Sequence, residues 1–389
     1  MKTGQKYQEL GEVCNVINGL WTGKKEPFVN IAVIRNTNFS KDCRLKLDDV
    51  AYIDVESKQF KTRKLEVGDI IIEKSGGSEK QPVGRAVMFD IPDGDFSFSN
   101  FTAALRVKDK SYINPKFLHK CLLGHYLKGE TLKMQSKTTG LHNLDMKAYQ
   151  KLPVPALSLT EQERIVAELD LLTGIIDKQK VQLKELDTLA QSIFYDMFKE
   201  ELTSSATRLL KDIASYRIGL TYKPTDVAEK GIIVLRSSNI QDNSLDFKDI
   251  VRVNLAVDSK KLVSDGDILM CARNGSARLV GKVARIRDID EEMSFGAFMT
   301  TIKSQYNDFL FYFFLSPFFR SQLGSAQTAT INQITSKMLD EIQLNVPSLE
   351  KQAIFAQKIQ SIESQKASIN QSIAETQKLF DYTMDKYFG

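Results

Sequence analysis

The chain has 389 residues, 42% of them hydrophobic and 26% charged, with a net charge of +4. That is enough for two ordinary domains with real cores, and it excludes a disordered or collagen-like chain. Four scattered cysteines without a C-x-x-C pair argue against a disulfide framework, and the longest apolar run, residues 309–319, is too short to span a bilayer. Met1-Lys2-Thr3-Gly4-Gln5-Lys6 lacks the apolar stretch of a signal peptide, so the expectation is a cytoplasmic protein with no membrane partner.

In chain order, the first 150 residues hold 24 Lys and Arg against 18 Asp and Glu. This surplus suits a polyanion without demanding one. The stretch is rich in β-branched and aromatic residues punctuated by Gly, Asp and Asn, a strand-and-turn pattern. A short helix is predicted from Pro115 to Lys128. After the proline-marked Val154-Pro155, Thr160 with Glu163 fits a capping box and opens a long helix. Its apolar positions Ile165, Leu169, Leu172, Ile176, Leu183, Leu186, Ala190, Ile193 and Met197 step alternately by three and four, interrupted at Gln179.

The remainder repeats this order. Val33-Ile34-Arg35-Asn36-Thr37-Asn38 returns as Val234-Leu235-Arg236-Ser237-Ser238-Asn239, and Gly68-Asp69-Ile70 as Gly266-Asp267-Ile268. Gly77-Ser78 and Val83-Gly84-Arg85 return as Gly275-Ser276 and Val280-Gly281-Lys282; Ser97-Phe98 and Phe101 as Ser294-Phe295 and Phe298. Residues 139–144 are echoed by 329–334. Val154-Pro155 with Gln162 is echoed by Val346-Pro347 with Gln352. The offset drifts from about 201 to about 190, as loop insertions produce; a period this long means two whole domains. A second short helix is predicted from about Asp308 to Arg320. The last helix carries Phe355, Ile359, Ile362, Ile369, Ile373, Phe380 and Tyr387, interrupted at Lys366, Thr376 and Thr383.

The predicted fold class is therefore α+β: two similar β-rich domains (residues 1–155 and 201–347), each followed by a long helix (156–200 and 348–389). One narrow apolar seam per helix implies one helical partner, and an antiparallel pair of the two is the simplest arrangement. A helix of this length is about 58 Å long at 1.5 Å per residue, a rigid spacer between the domains.

Catalytic motifs fare poorly. There is no G-x-x-x-x-G-K-[ST] loop. Asn114-Pro115-Lys116-Phe117 lacks the second proline of an N-P-P-[FY] methyltransferase site, and Pro115 reads better as the first residue of a helix. Asp69, Glu73 and Lys74 lack the spacing of a nuclease cluster. His119, Cys121 and His125 are not at the i, i+4 spacing of helical metal ligands, so helix packing is the expectation.

Binding fits better. Lys74, Ser75, Gly76, Gly77, Ser78 and Lys80 in the first copy, and Arg273, Asn274, Ser276 and Arg278 in the second, join small residues to cations after a buried-looking strand. Such loops suit phosphate approach, and Arg273, Arg278 and Asn274 suit guanine and adenine edges; a plain hairpin turn is the competing reading. Lys133, Gln135 and Lys137, with their counterparts Gln327, Thr328 and Asn332, form a second candidate pair. Arg85 and Lys282 complete the candidate DNA contacts. Arg35 to Asn38 and Arg236 to Asn239 match so closely that an Asn-rich structural turn is expected.

The V-P-x-L-…-Q signature entering a heptad helix twice, each time after a domain with G-D-I and T-G-x-x-N-L-like blocks, resembles the specificity subunit of type I restriction–modification systems. The resemblance implies a non-catalytic subunit in which each domain reads one half of a bipartite site in double-stranded DNA. It implies that the paired helices measure the spacer and dock two methylation subunits, which restriction and translocase subunits join. No cofactor is expected on this chain; S-adenosylmethionine, ATP and Mg²⁺ belong to the partners. Thr330 in place of Gly140, and Ala297 in place of Asn100, depart from the repeat. A duplicated protein scaffold, a methylation-only system and an unrecognised nuclease are the alternatives.

Overall fold

The computed structural model describes residues 6–21, 23, 25–79, 81–138, 140–323 and 333–389. Four helices organise it: α1 (Pro115–Leu127), α2 (Leu159–Met197), α3 (Asn307–Leu315) and α4 (Leu349–Phe388). The chain divides into two compact units, one of Met1–Lys180 with Asn370–Gly389 and one of Val181–Ile369. Each long helix therefore contributes one stretch to each unit.

In the first unit, an antiparallel sheet runs in the order Cys14–Asn18, Thr102–Val107, Ile70–Glu73, Ala86–Met88. A second sheet places Phe28–Ile34 between Ala51–Glu56 (antiparallel) and Phe96–Phe98 (parallel). The consecutive isoleucines 70–72 are all buried because both faces of their strand are covered. Ile70 and Ile72 pack with Phe117 and Leu118 of α1 and with Ile165 and Leu169 of α2, while Ile71 packs with Ile34, Val87 and Phe98 on the other side. The second unit repeats this. Ile268 and Met270 join Phe309 and Phe355, and Leu269 and Cys271 join Leu235 and Phe295.

The repeated blocks now have physical reasons. Gly68 and Gly266 take φ of +98° and +85°, where a side chain is strained. The following Asp69 and Asp267 are buried and close the turn by accepting from the backbone N–H of Glu66 and Ser264. Asp69 also pairs with Arg106 at 2.7 Å, which accounts for it without catalysis. Short strands close each domain: Pro153–Pro155, which holds the first Val-Pro, pairs with Tyr7–Glu9, and Gln343–Leu344, just before Val346-Pro347, pairs with Arg208–Leu209. Gln162 is fully buried; it accepts from the Asn114 N–H and donates to Tyr112 and Leu157 carbonyls. Gln352 donates to the Pro347 carbonyl at 2.7 Å. These glutamines tie each long helix to the domain before it.

The start of α2 differs from expectation by two residues. Ser158, not Thr160, is the cap: its Oγ accepts from the Glu161 N–H at 3.3 Å, and Glu161 accepts from the Ser158 N–H at 3.2 Å. The chain turns in at Pro155, so the first unpaired amides fall earlier. Ser158→Ala should cost about 1 kcal/mol, read as a lower midpoint in urea unfolding. The predicted helix over 308–320 is two: α3 ends where Ser316 caps a new turn, Pro317–Gln322, because Pro317 lacks the N–H that continuation needs.

The helices pair antiparallel within each unit. In the first, Ile165, Leu169 and Leu172 of α2 share a core with Phe380, Met384 and Phe388 of α4. Arg164 donates to the Tyr387 hydroxyl, which donates to Glu168. Gln179 donates to Ser372 Oγ at 2.6 Å. In the second unit, Ala190, Phe194 and Phe198 join Phe355, Ile359 and Ile362, and Lys366 pairs with Asp187 at 2.8 Å. Of the four polar interruptions of the seams, Gln179 and Lys366 are thus bonded across to the other helix, whereas Thr376 donates to the Ser372 carbonyl of its own helix and Thr383 is buried. Ile176 is buried, whereas Leu183, Leu186, Ile369 and Ile373 are only half-buried. Ile193 and Met197 lie at the margin, and Phe194 and Phe198 take the core positions instead.

Candidate nucleic-acid interface

In the first unit, the strand Ile70–Glu73 leads to half-buried Lys74 and Ser75 and exposed Gly76 and Ser78, while Gly77 is buried. Lys74 and Ser75 donate their N–H groups to the Phe101 carbonyl, at 2.9 and 3.0 Å. Ser75–Gly77 is not a plain turn. It is a strand beside Leu141–Leu144, which in turn pairs with Gln135–Thr138. Two segments singled out separately in the sequence therefore form one small sheet. Ser75 Oγ bonds to Asn143 Oδ1, Lys74 Nζ lies 3.2 Å from Asn18 Oδ1, and Asn36 donates to the Ser75 carbonyl. Partial burial pushes the Lys74 ammonium pKa below its ordinary value. Lys133, Lys137 and Ser78 are exposed; Lys137 sits 3.5 Å from Glu79. Gln135 is half-buried and accepts from the Val83 N–H.

Arg85 is a correction. It is 4% exposed and makes a two-point ion pair with buried Glu73, at 2.7 and 3.1 Å, while donating to the Phe39 carbonyl. Its guanidinium faces the interior and cannot reach DNA. Its counterpart Lys282 also turns inward, with Nζ 3.5 Å from the Ile240 carbonyl.

In the second unit, Arg273 and Ala272 donate their N–H groups to the Phe298 carbonyl, both at 3.0 Å. Asn274 donates to Ser237 Oγ and accepts from the Ser276 N–H, which starts a short 3-10 turn over Ala277–Leu279. Arg273, Ser276 and Arg278 are exposed. Gln333 bridges to Arg273, the place where the first unit has its third strand. Gln327, Thr328 and Asn332, like Lys80, lie outside the described residues.

The Arg-x-x-Asn pair is structural, as expected. Asn38 and Asn239 are buried; each accepts from the N–H of its own Arg35 or Arg236 and donates to the carbonyl of Asp49 or Asp249. The helix histidines are likewise committed. His119 Nε2 lies 3.1 Å from the Ala86 carbonyl, and burial with Lys120 nearby pushes its pKa down to about 4. His125 bonds Glu130 and the Pro153 carbonyl.

One repeated block escaped the sequence reading. Gly19-Leu20 matches Gly219-Leu220. A Cβ on Gly19 would stand 1.9 Å from the Ser99 carbonyl oxygen, and one on Gly219 would stand 2.2 Å from that of Phe295. Only glycine permits this approach. It sets Trp21 (63% exposed) on the surface beside the strand that leads to Phe101. The shared Gly-Leu pair was the available signal.

The arrangement presents cations and hydroxyls on loops carried by two alike sheets. A guanidinium on such a loop offers the paired donors that guanine edges and phosphates accept. Comparison with known proteins agrees with a DNA-directed role. The family model described as type I restriction modification DNA specificity domain matches twice, over residues 3–187 and 204–378, and the chain belongs to that family. It is 25% identical over 263 residues to the type I restriction enzyme MjaVIII specificity subunit of Methanocaldococcus jannaschii, covering 61% of each chain. It is 31% identical over 180 residues to the StySPI specificity subunit of Salmonella potsdam, covering 43% of this chain and 38% of that one. The matches thus span less than two thirds of these relatives' lengths. Among solved structures, the S subunit of a type I restriction–modification system from M. genitalium aligns with a TM-score of 0.50 at 13% identity, over 100% of this chain and 98% of that one. A chain from work on complex assembly and conformational transition of the type I R-M system aligns with a TM-score of 0.55 at 17% identity, over the same shares. Among the described residues, no helix is long and apolar enough to cross a membrane.

Proposed function

We propose that this chain is the non-catalytic subunit that reads a bipartite site in double-stranded DNA and directs methylation and restriction subunits to it. One observation carries the reading: equivalent frames hold unlike contact loops. Ser75 to Gly77 forms a strand edge, whereas Arg273 to Leu279 holds an Asx-capped 3-10 turn with two exposed arginines, Arg273 and Arg278. Alike scaffolds with different loops suit two different half-sites. The unread gap is set by the paired helices of 39 and 40 residues. With one half-site bound, the second domain meets its own at high effective concentration. Two methylation subunits would dock on the helices. S-adenosylmethionine, ATP and Mg²⁺ would sit on the partners, and none on this chain.

The test is co-expression with the neighbouring methylation subunit, followed by genome-wide mapping of modified adenines. A two-part motif with a fixed gap, lost when this chain is omitted, is the expected result. Modification that ignores the chain, or one continuous motif, would favour a protein scaffold instead. Arg278→Ala should flatten the salt dependence of binding by about one unit in the log–log slope, because about one phosphate contact is lost.

A further inference from the structure

Phe101 and Phe298 stand at equivalent places in the repeat, and each does two things. Their carbonyls hold the first residues of the contact loops, through the N–H groups of Lys74 and Ser75 in one unit and Ala272 and Arg273 in the other. That task uses the backbone alone and any residue could perform it. Yet both positions carry a phenylalanine whose ring faces solvent, 40% exposed at Phe101 and 59% at Phe298. Leaving so large an apolar surface in water costs stability, and nothing in either domain's core requires it. The Phe298 ring has the Arg273 guanidinium 5.4 Å from its centre. It also walls an open cleft with Tyr222, Pro224, Arg236 and Asp249. In the other unit the Phe101 ring lies against Gly76, about 3.6 Å from where its Cβ would be.

We propose that Phe298 and Phe101 are the apolar base contacts of their respective half-sites, each ring wedging beside a base step that opens to receive it. Arg273 lies over one ring, and its exposed guanidinium meets a flanking phosphate from a backbone held by the Phe298 carbonyl, independently of the ring. Apolar side chains on DNA-binding loops act this way, offsetting the unstacking of one step by new contact surface. An aromatic face also stacks on any base with little dependence on salt, unlike a phosphate contact. The inference rests on the proposed DNA-reading function and deepens it.

The experiment uses the full chain with its methylation partner and duplexes enriched by that complex from a random-sequence pool. If the wild-type complex enriches no defined sequence, the DNA-reading function itself fails. Given enrichment, Phe298→Ala should weaken binding to the enriched duplex about tenfold or more, the loss of one stacked base. Its salt slope should stay unchanged, whereas Arg273→Ala should lower that slope by about one. Pools enriched by Phe298→Ala should lose base preference in one half-site, and those enriched by Phe101→Ala in the other. With 2-aminopurine placed at each position apart from the methylated adenine, one step per half-site should brighten on binding, and that signal should vanish with the matching variant. Phe298→Leu keeps an apolar wedge without a ring face; should the alanine variant fail to fold, Phe298→Leu should still weaken binding, by less than the alanine change, with the salt slope unchanged. Unchanged affinity, base preference and fluorescence in the folded variants would overturn the proposal.

Discussion

Phe194→Ala should destabilise the second unit by about 3–5 kcal/mol, the cost of emptying a fully packed aromatic site. Phe194 is 1% exposed, and its ring centre lies 5.3 Å from Phe198, 5.5 Å from Phe309, 5.9 Å from Tyr312 and 5.8 Å from Phe355. Truncation leaves a void that four neighbouring rings cannot collapse to fill. Ile193→Ala makes the contrast. Ile193 is the position a regular three-four count selects, but it lies at the margin of the core. Its loss should cost distinctly less. Urea unfolding of the two variants checks the order; a larger cost at Ile193 would mean that the heptad count describes the packing better than the structure does.

The second large effect is expected at the buried Glu73–Arg85 pair. Glu73→Ala should cost about 3–5 kcal/mol, because it strands a guanidinium in the interior with neutral neighbours, the carbonyls of Phe39 and Ser40 and the side-chain amide of Gln81, and no counter-charge. The double variant Glu73→Leu with Arg85→Met should recover most of that loss, since no buried charge remains. Arg85→Met should leave the salt slope of DNA binding unchanged, which separates it from the exposed Arg278. A slope lowered by about one would return Arg85 to the DNA-facing surface. The second unit has Cys271 and Lys282 at these positions, so the frame itself does not need the pair.

Much of this was legible from residue order. A duplicated run of blocks can only mean two alike domains, and a three-four seam over nearly forty residues can only suit a long helix with a helical partner. Pro115 and Pro317 mark helix starts because proline lacks the N–H that a helix interior uses. The Arg-x-x-Asn turns were legible for a similar reason: their bonds close within the segment or on a carbonyl 10 or 11 residues beyond it.

What the sequence by itself determined is thus what depends on local chemistry and periodicity: two domains, two long helices, and loops rich in Gly, Ser and cations. Tertiary structure alone decided the rest. It paired Ser75–Gly77 with Leu141–Leu144, more than sixty residues away, and so joined two candidate segments into one surface. It turned Arg85 inward onto Glu73, although Arg278, of the same residue type in the second unit's candidate loop, faces out. It chose Phe194 over Ile193, because a helix side that meets both another helix and α3 is wider than a two-helix seam. In each case the deciding quantity is desolvation by distant neighbours, which a residue's own surroundings in the chain do not reveal.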